Sequence, residues 1–251
     1  MGDEKPLVYL ILGPVGSGRR ALVADLIEGG GGDGERAAVL LPEGEAPAEA
    51  DAPLATAAEV GRWTWAAPGV LCADAPAGVS RLFFFTAGNS DPVDQIEAFK
   101  AWLAGRGLEV ARVICVVDCR LAEAHPQLLA WFDGCIHFAD VVLLNHREGV
   151  ANKWISDFQS RYKSGHYPCL FEFVRDNRVR NPALILEPRA LRISHVFDDE
   201  VDWTVIGEEE EDAADGETEV EVAPEEDPYF ARLNGGRRIK ELPDIRKYLP
   251  G

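Results

Sequence analysis

Residues 7–20, which read LVYLILGPVGSGRR, decide the fold class of this 251-residue chain. Residues 7–12 form a short apolar run with β-branched and aromatic side chains, and such a run indicates a buried strand. The run ends at Gly13 and leads into a glycine-rich turn, after which residues 21–27 predict an amphipathic helix. A strand, a glycine-rich turn and a helix in this order are typical of a loop that binds phosphate.

The turn has the spacing of the phosphate-binding loop, Gly-x4-Gly-Lys-Ser/Thr, but two positions differ. Its glycines let successive backbone N–H groups point inward, and the helix N-terminus adds a positive partial charge. Arg19 stands where a lysine reaches the β- and γ-phosphates, and Arg20 stands where a hydroxyl binds Mg²⁺. We therefore expect phosphate affinity to survive and Mg²⁺-assisted hydrolysis to suffer, whereas the alternative is a turn that binds nothing. The residues expected to hold phosphate are Gly13, Gly16, Ser17, Gly18, Arg19 and Arg20.

Strands and helices are predicted to alternate along the rest of the chain. Apolar runs predict strands at residues 37–41, 82–85, 110–117, 139–144 and 169–174. Helices are predicted from Asp91-Pro92 to residue 103, at about 121–132, and around Trp154, Phe158 and Tyr162. Residues 42–58 show no clear period. This alternation predicts an α/β fold whose mostly parallel sheet is covered on both faces.

The formal net charge of −18 is concentrated near the C-terminal end of the chain. Residues 198–227 contain 16 Asp and Glu and no Lys or Arg, whereas residues 228–251 contain 6 basic and 2 acidic residues. We predict a P-loop domain over 1–197, an acidic linker over 198–227 and a basic, aromatic segment over 228–251. The overall charge argues against binding to nucleic acid or to an anionic membrane.

Two interpretations of each C-terminal part remain open. The acidic block is either a disordered, solvated linker or a bait for a basic partner or a hard cation. The segment at 228–251 mixes aromatic, aliphatic and cationic side chains, which favours a docking peptide for a protein partner. It can instead fold back on its own domain.

The N-terminal residues and the cysteines point to the cytoplasm. Residues 1–12 lack the features of a signal peptide, and no apolar run approaches the roughly 18 residues of a membrane span. The five cysteines are dispersed and contain no CxxC pair, which indicates a reducing compartment. The histidines show no HxH or HxxxH spacing, so no metal site is expected from them.

Three further segments follow predicted strands: TAGNSDP at 86–92, CVVD at 115–118 and FADVVLLNHRE at 138–148. With the opening loop, their order and spacing resemble the CobW-like branch of P-loop GTPases, relatives of the HypB and UreG nickel-insertion proteins. The resemblance covers about residues 7–150. It implies a P-loop NTPase fold of three α/β/α layers and GTP hydrolysis coupled to metal delivery.

The chain departs from that family at residues that carry the chemistry. Glu43-Gly44 stands at the family's NExG segment, so the acidic residue is displaced or lost, and only Cys72 remains of the GCxCC metal loop. One thiolate cannot build a site that needs three or four N/S ligands. Thr86 replaces the ExSG carboxylate that organises Mg²⁺ and the attacking water.

The family's base-reading NKxD motif is represented by Asn145, His146 and Glu148. The resemblance implies that the amide contacts the guanine edge, the imidazole stacks on the purine, and the longer carboxylate accepts from the base with poorer alignment. We therefore hypothesise a degenerate, CobW-like domain that binds GTP or GDP weakly and hydrolyses little or none, with no assigned catalytic residue. The alternatives are a non-enzymatic adaptor that recruits a partner through its tail, and an active GTP-dependent metallochaperone.

Overall fold

The computed structural model describes residues 5–32, 34–47, 49, 51–198 and 226–249. Eight strands form one sheet. They are β1 (Leu7–Leu12), β2 (Ala37–Pro42), β3 (Glu59–Ala67), β4 (Val70–Cys72), β5 (Arg81–Phe85), β6 (Glu109–Asp118), β7 (Val141–Asn145) and β8 (Leu170–Phe173). Their order is β4-β3-β2-β5-β1-β6-β7-β8, and every neighbouring pair is parallel except the antiparallel β3 and β4.

Helices cover both faces of this sheet. They are α1 (Arg19–Gly30), α2 (Asp51–Ala57), α3 (Pro92–Leu103), α4 (Cys119–Ala124), α5 (Leu129–His137), α6 (Asn152–Ser164) and α7 (Pro182–Leu186), with short 3₁₀ turns at Pro126–Leu128 and Ile245–Lys247. No helix in the described part of the chain is long and apolar enough to cross a membrane.

Alternate side chains of β1 enter two different hydrophobic cores, because successive side chains of a strand point to opposite faces. Val8, Leu10 and Leu12 pack with residues of α3, α5 and α6. Tyr9 and Ile11 pack on the other face with residues of α1 and α7. The strand is therefore buried on both sides, which explains its unbroken apolar sequence. This confirms the predicted fold class, a P-loop NTPase fold of three α/β/α layers around a mostly parallel sheet.

The predicted helix at 121–132 is wrong, because the chain forms two helices there. Pro126 has no backbone N–H and disfavours helical geometry in the residue before it. His125 accordingly has φ −131° and ψ 78° and ends α4, and α5 begins after one 3₁₀ turn. The longer α5 runs on to His137 and carries Trp131 and Phe132 into the core.

The stretch without a clear period holds α2, and a hairpin of β3 and β4 follows it. Both elements are mostly exposed: α2 buries Leu54, and β3 buries Trp63. Elements with so few buried side chains leave no hydrophobic period in the sequence. The hairpin turns at Gly69, whose φ of 75° suits glycine.

Residues 226–249 pack against the sheet face that carries α3 and α5. Tyr229 and Ile245 are buried in the core there, and Phe230 stacks on Phe138 with ring centroids 5.5 Å apart. The Arg238 guanidinium donates to Asp94 and Glu97 of α3. Most of the acidic linker lies outside the described residues, so its predicted disorder remains a prediction.

Candidate functional site

The carboxyl ends of the parallel strands meet at one edge of the sheet. β1 pairs with β5 on one side and with β6 on the other. The glycine-rich turn at 13–18 therefore lies between the segment that follows β5 and Asp118, the last residue of β6. The segments after β2 and β7 approach the same place, and ligands of open α/β sheets bind at such an edge.

Three glycines of the turn have a positive φ. Gly13, Gly16 and Gly18 have φ of 134°, 82° and 82°, a region that side chains rarely adopt. A Cβ on Gly13 would also lie 2.5 Å from the carbonyl oxygen of Val116, so only glycine fits. The Val15 N–H donates to the carbonyl of Gly88 at 3.2 Å and joins the turn to the segment after β5.

Asn145 fixes the turn from the other side. Its Nδ2 donates to the carbonyl of Ser17 at 2.9 Å and to Oδ1 of Asn177 at 3.2 Å. Ser17 is fully buried, and its Oγ has no hydrogen-bond partner. The Asn145 amide, expected at a guanine edge, thus uses its donors within the protein.

Arg19, at the lysine position, binds two acceptors within the protein. Its Nη1 donates to the carbonyl of Thr86 at 2.5 Å, and its Nη2 makes a short ion pair with Glu45 Oε1. The guanidinium is buried, and this burial lowers the pKa of Arg19, while the Glu45 carboxylate opposes the shift. The Thr86 hydroxyl donates to the carbonyl of Ile11 at 3.2 Å and stays within the protein.

Arg20 is held by two carboxylates. Its Nη2 lies 2.8 Å from Glu45 Oε2, and its Nη1 lies 2.7 Å from Asp51 Oδ1 at the start of α2. The same Nη1 donates to the carbonyl of Ala46 at 3.2 Å. The second cation of the turn therefore ties α1 to α2 and to the segment before it.

Glu45 is the point on which both arginines converge. Its Oε1 also accepts the backbone N–H of Gly88 at 2.6 Å, and its side chain is 3% exposed. The cavity beside it, between the turn, the two arginines and Ala46, has a volume of about 120 Å³. Pockets for whole small molecules are typically about 300–1,000 Å³. The cavity of this conformation is therefore smaller than a pocket that encloses a whole nucleotide.

Mg²⁺ does not fit the residues at this site. Magnesium is held by hard oxygen ligands, and the position that should supply one carries the Arg20 cation. Two carboxylates beside it, Glu45 and Asp51, already bind that guanidinium. No described group of three or more His, Cys, Asp or Glu side chains is arranged to hold a metal ion.

The other two base-reading candidates are His146, beside the turn, and Glu148, at the surface. His146 has a positive φ of 50°, and its Nδ1 lies 2.8 Å from Asp118 Oδ2. Its Nε2 would lie 3.7 Å from a Cβ on Gly18, so the imidazole faces the start of α1. Glu148 is exposed on the loop after β7. The structure brings Asn145 and His146 to the turn and leaves Glu148 at the surface.

Sequence reasoning singled out Glu43 of the segment after β2 and missed Glu45. Glu43 is exposed, and Glu45 turns inward. The sequence offered one signal: two acidic residues, Glu43 and Glu45, flank Gly44, and the glycine-rich turn carries two adjacent cations that need a counter-ion. Asn177 was missed as well, because nothing in its local sequence indicates that it contacts Asn145. Cys72 is exposed on β4, and the other four cysteines are buried.

No family model matches the chain, and no curated protein matches it significantly. Among solved structures, it is similar to a Zn(II)-bound triple mutant of the YjiA GTPase, with 15% identity and a TM-score of 0.44. It is also similar to the Zn(II)-bound YjiA GTPase from E. coli, with 13% identity and a TM-score of 0.42. Each alignment covers 74% of this chain and 66% of the other, so the chain spans slightly less than two thirds of those proteins.

Proposed function

We propose that this chain is a degenerate P-loop protein that binds guanine nucleotide or phosphate weakly and hydrolyses GTP little or not at all. One observation carries the proposal: the two cations of the phosphate loop, Arg19 and Arg20, are both bound to the buried carboxylate of Glu45. A phosphate must compete with this carboxylate for the same donors. Competition of this kind lowers affinity without removing the loop's geometry.

The absence of hydrolysis follows from the chemistry of the side chains. Phosphoryl transfer depends on positioned Mg²⁺ and an oriented water, which together stabilise the charge of the transition state. Arg20 offers no oxygen to a metal, and the Thr86 hydroxyl is bonded to Ile11. Neither position supplies the group that the reaction needs.

Weak selection among bases is proposed for a related reason. The Asn145 amide donates to Ser17 and Asn177, and Glu148 lies at the surface. A guanine would have to displace Asn177 to reach the Asn145 amide. A ligand that must first break hydrogen bonds within the protein loses much of its binding free energy.

Calorimetric titration with GTP, GDP and ATP, with and without Mg²⁺, tests the proposal together with an assay of phosphate release. We expect weak heats that do not require Mg²⁺, and no Mg²⁺-dependent release of phosphate. Mg²⁺-dependent turnover of GTP would overturn the assignment and favour an active GTPase. If no nucleotide gave any heat, the result would contradict nucleotide binding and favour the non-enzymatic adaptor.

The adaptor is kept as the second candidate because of one surface feature. Arg232 and Arg238 form an isolated β-bridge, and each is followed by an exposed aliphatic residue. These residues are Leu233, which is 55% exposed, and Ile239, which is 58% exposed. Their neighbours Tyr229 and Phe230 instead pack on the domain. A partner would therefore contact the aliphatic tip of this segment.

A further inference from the structure

Glu45 has the surroundings of a bound anion. Its two carboxylate oxygens accept from Arg19, from Arg20 at 2.8 Å and from the backbone N–H of Gly88 at 2.6 Å. Two guanidinium groups and an inward-pointing backbone N–H are also what a phosphate group would meet at this place. Glu43, two residues earlier, is exposed and shares none of these contacts.

We infer that Glu45 is the resident anion of the phosphate loop, an internal substitute for phosphate that closes the site until its side chain is displaced. This inference rests on the proposed function, since it names the group with which a phosphate ligand competes. An entering pyrophosphate would take over the hydrogen bonds of Arg19, Arg20 and Gly88, and Glu45 would move into solvent. No covalent bond is made or broken in this exchange.

The cost of an unpaired buried cation explains why some anion must occupy the site. Arg19 is 2% exposed and Arg20 is 8% exposed. A buried guanidinium without a counter-ion is strongly unfavourable, because its lost hydration is not replaced. Arg20 keeps Asp51 as a second counter-ion, but Arg19 loses its carboxylate partner if Glu45 leaves and no oxyanion enters. The empty, open site is therefore the least stable arrangement of the three.

Besides the contacts of the carboxylate, backbone hydrogen bonds hold the segment that carries Glu45, among them that from Arg20 Nη1 to the Ala46 carbonyl at 3.2 Å. Glu45 lies between β2 and α2, and its backbone N–H donates to the carbonyl of Pro42 at 3.3 Å. Arg62 Nη1 donates to the carbonyls of Pro42 at 3.2 Å and of Glu45 at 3.4 Å. Gly44 and Ala46 on either side of Glu45 are exposed. The carboxylate can therefore leave without unpacking the core.

Binding of inorganic pyrophosphate to the full chain tests the inference, with wild type compared with Glu45→Gln. If the open form is a minor state of about 1–10%, removing the internal anion should tighten pyrophosphate binding roughly 10- to 100-fold. The matched control is Glu43→Gln, which removes an equal charge two residues away and should bind like wild type. Chloride at equal ionic strength controls for screening.

Arg62→Ala provides a second variant that keeps Glu45 itself. It removes the side chain that holds the Glu45 segment and should tighten pyrophosphate binding by a smaller factor. If Glu45→Gln folds only when pyrophosphate is present, the dependence on an external anion supports the inference. Equal pyrophosphate affinity in Glu45→Gln, Arg62→Ala and wild type would overturn it. The proposed function is judged separately, by Mg²⁺-dependent turnover of GTP in wild type.

Discussion

At the scale of single residues, Gly88 determines how closely the segment after β5 approaches the phosphate loop. A Cβ on Gly88 would lie 2.5 Å from the backbone nitrogen of Val15 and 2.6 Å from both the Gly13 carbonyl oxygen and Arg19 Nη2. Two of these three atoms belong to the backbone and cannot rotate away. The same close approach places the Gly88 N–H on Glu45.

Gly88→Ala should therefore destabilise the protein, by about 1–3 kcal/mol as for an overpacked core. Gly105→Ala is the matched control, because a Cβ there meets nothing within 4 Å. Its φ of 74° should still cost roughly 1–2 kcal/mol through left-handed strain alone. Chemical denaturation measures both, and Gly88→Ala should in addition change pyrophosphate affinity. A Gly88→Ala protein with wild-type stability and affinity would contradict the steric argument.

At the scale of elements, α3 shows how a start signal in the sequence becomes a structural contact. Asp91 precedes the helix with φ −64° and ψ 119°, and its side chain accepts the Val93 N–H at 2.8 Å, with Pro92 at the first helical position. Burial raises the pKa of the Asp91 carboxyl, although its hydrogen bond to Val93 opposes this. Burial thus disfavours the ionised form of Asp91, while its carboxyl oxygen still accepts the hydrogen bond that caps the helix.

Asp91→Ala should destabilise the protein by about 1 kcal/mol through loss of the cap. Asp91→Asn keeps an acceptor oxygen, removes the charge that burial penalises, and should cost less than Asp91→Ala. Urea denaturation at neutral pH measures the difference. Equal losses in the two variants would show that the cap oxygen contributes nothing to stability.

At the scale of the whole molecule, Asp227 joins the C-terminal segment to the domain. Its carboxylate accepts from Ser194 Oγ at 2.5 Å and from the Tyr229 N–H at 3.0 Å, and it faces His137 Nε2 at 2.8 Å. Burial raises the pKa of this carboxyl, but its hydrogen bonds with His137, Ser194 and Tyr229 outweigh that effect, and the pKa lies below its ordinary value. The segments before and after the acidic linker are thereby held together at α5.

A carboxyl whose folded-state pKa is depressed stabilises the protein above its unfolded pKa and loses that contribution as the pH falls through the folded value. Asp227→Asn should cost about 1–3 kcal/mol at neutral pH and weaken the loss of stability that occurs as the pH falls below about 5. The control is Asp157→Asn, which removes an exposed carboxylate paired with Lys153 on α6. Tryptophan fluorescence during urea unfolding at several pH values gives the result. If the pH dependence of stability were unchanged in Asp227→Asn, Asp227 would not contribute to the loss of stability at low pH.

The amino-acid sequence determined those parts of the protein that depend on neighbours in the chain. The strand at 7–12, the glycine-rich turn after it and the Asp91 cap were predicted because hydrophobic period, left-handed glycine geometry and helix capping act over a few residues. The buried strands of the parallel sheet were also predicted, since burial on both faces leaves long apolar runs.

Only the tertiary structure decided which charges meet at the strand ends. Glu45 and Arg19 are 26 residues apart and meet because β2, β5 and β1 end at the same edge of the sheet. Nothing local distinguishes Glu45 from Glu43, since the direction of each carboxylate depends on how the chain leaves β2. A motif therefore predicts a phosphate loop, whereas the anion that occupies it is chosen by long-range packing and by the cost of burying the Arg19 guanidinium without a counter-ion.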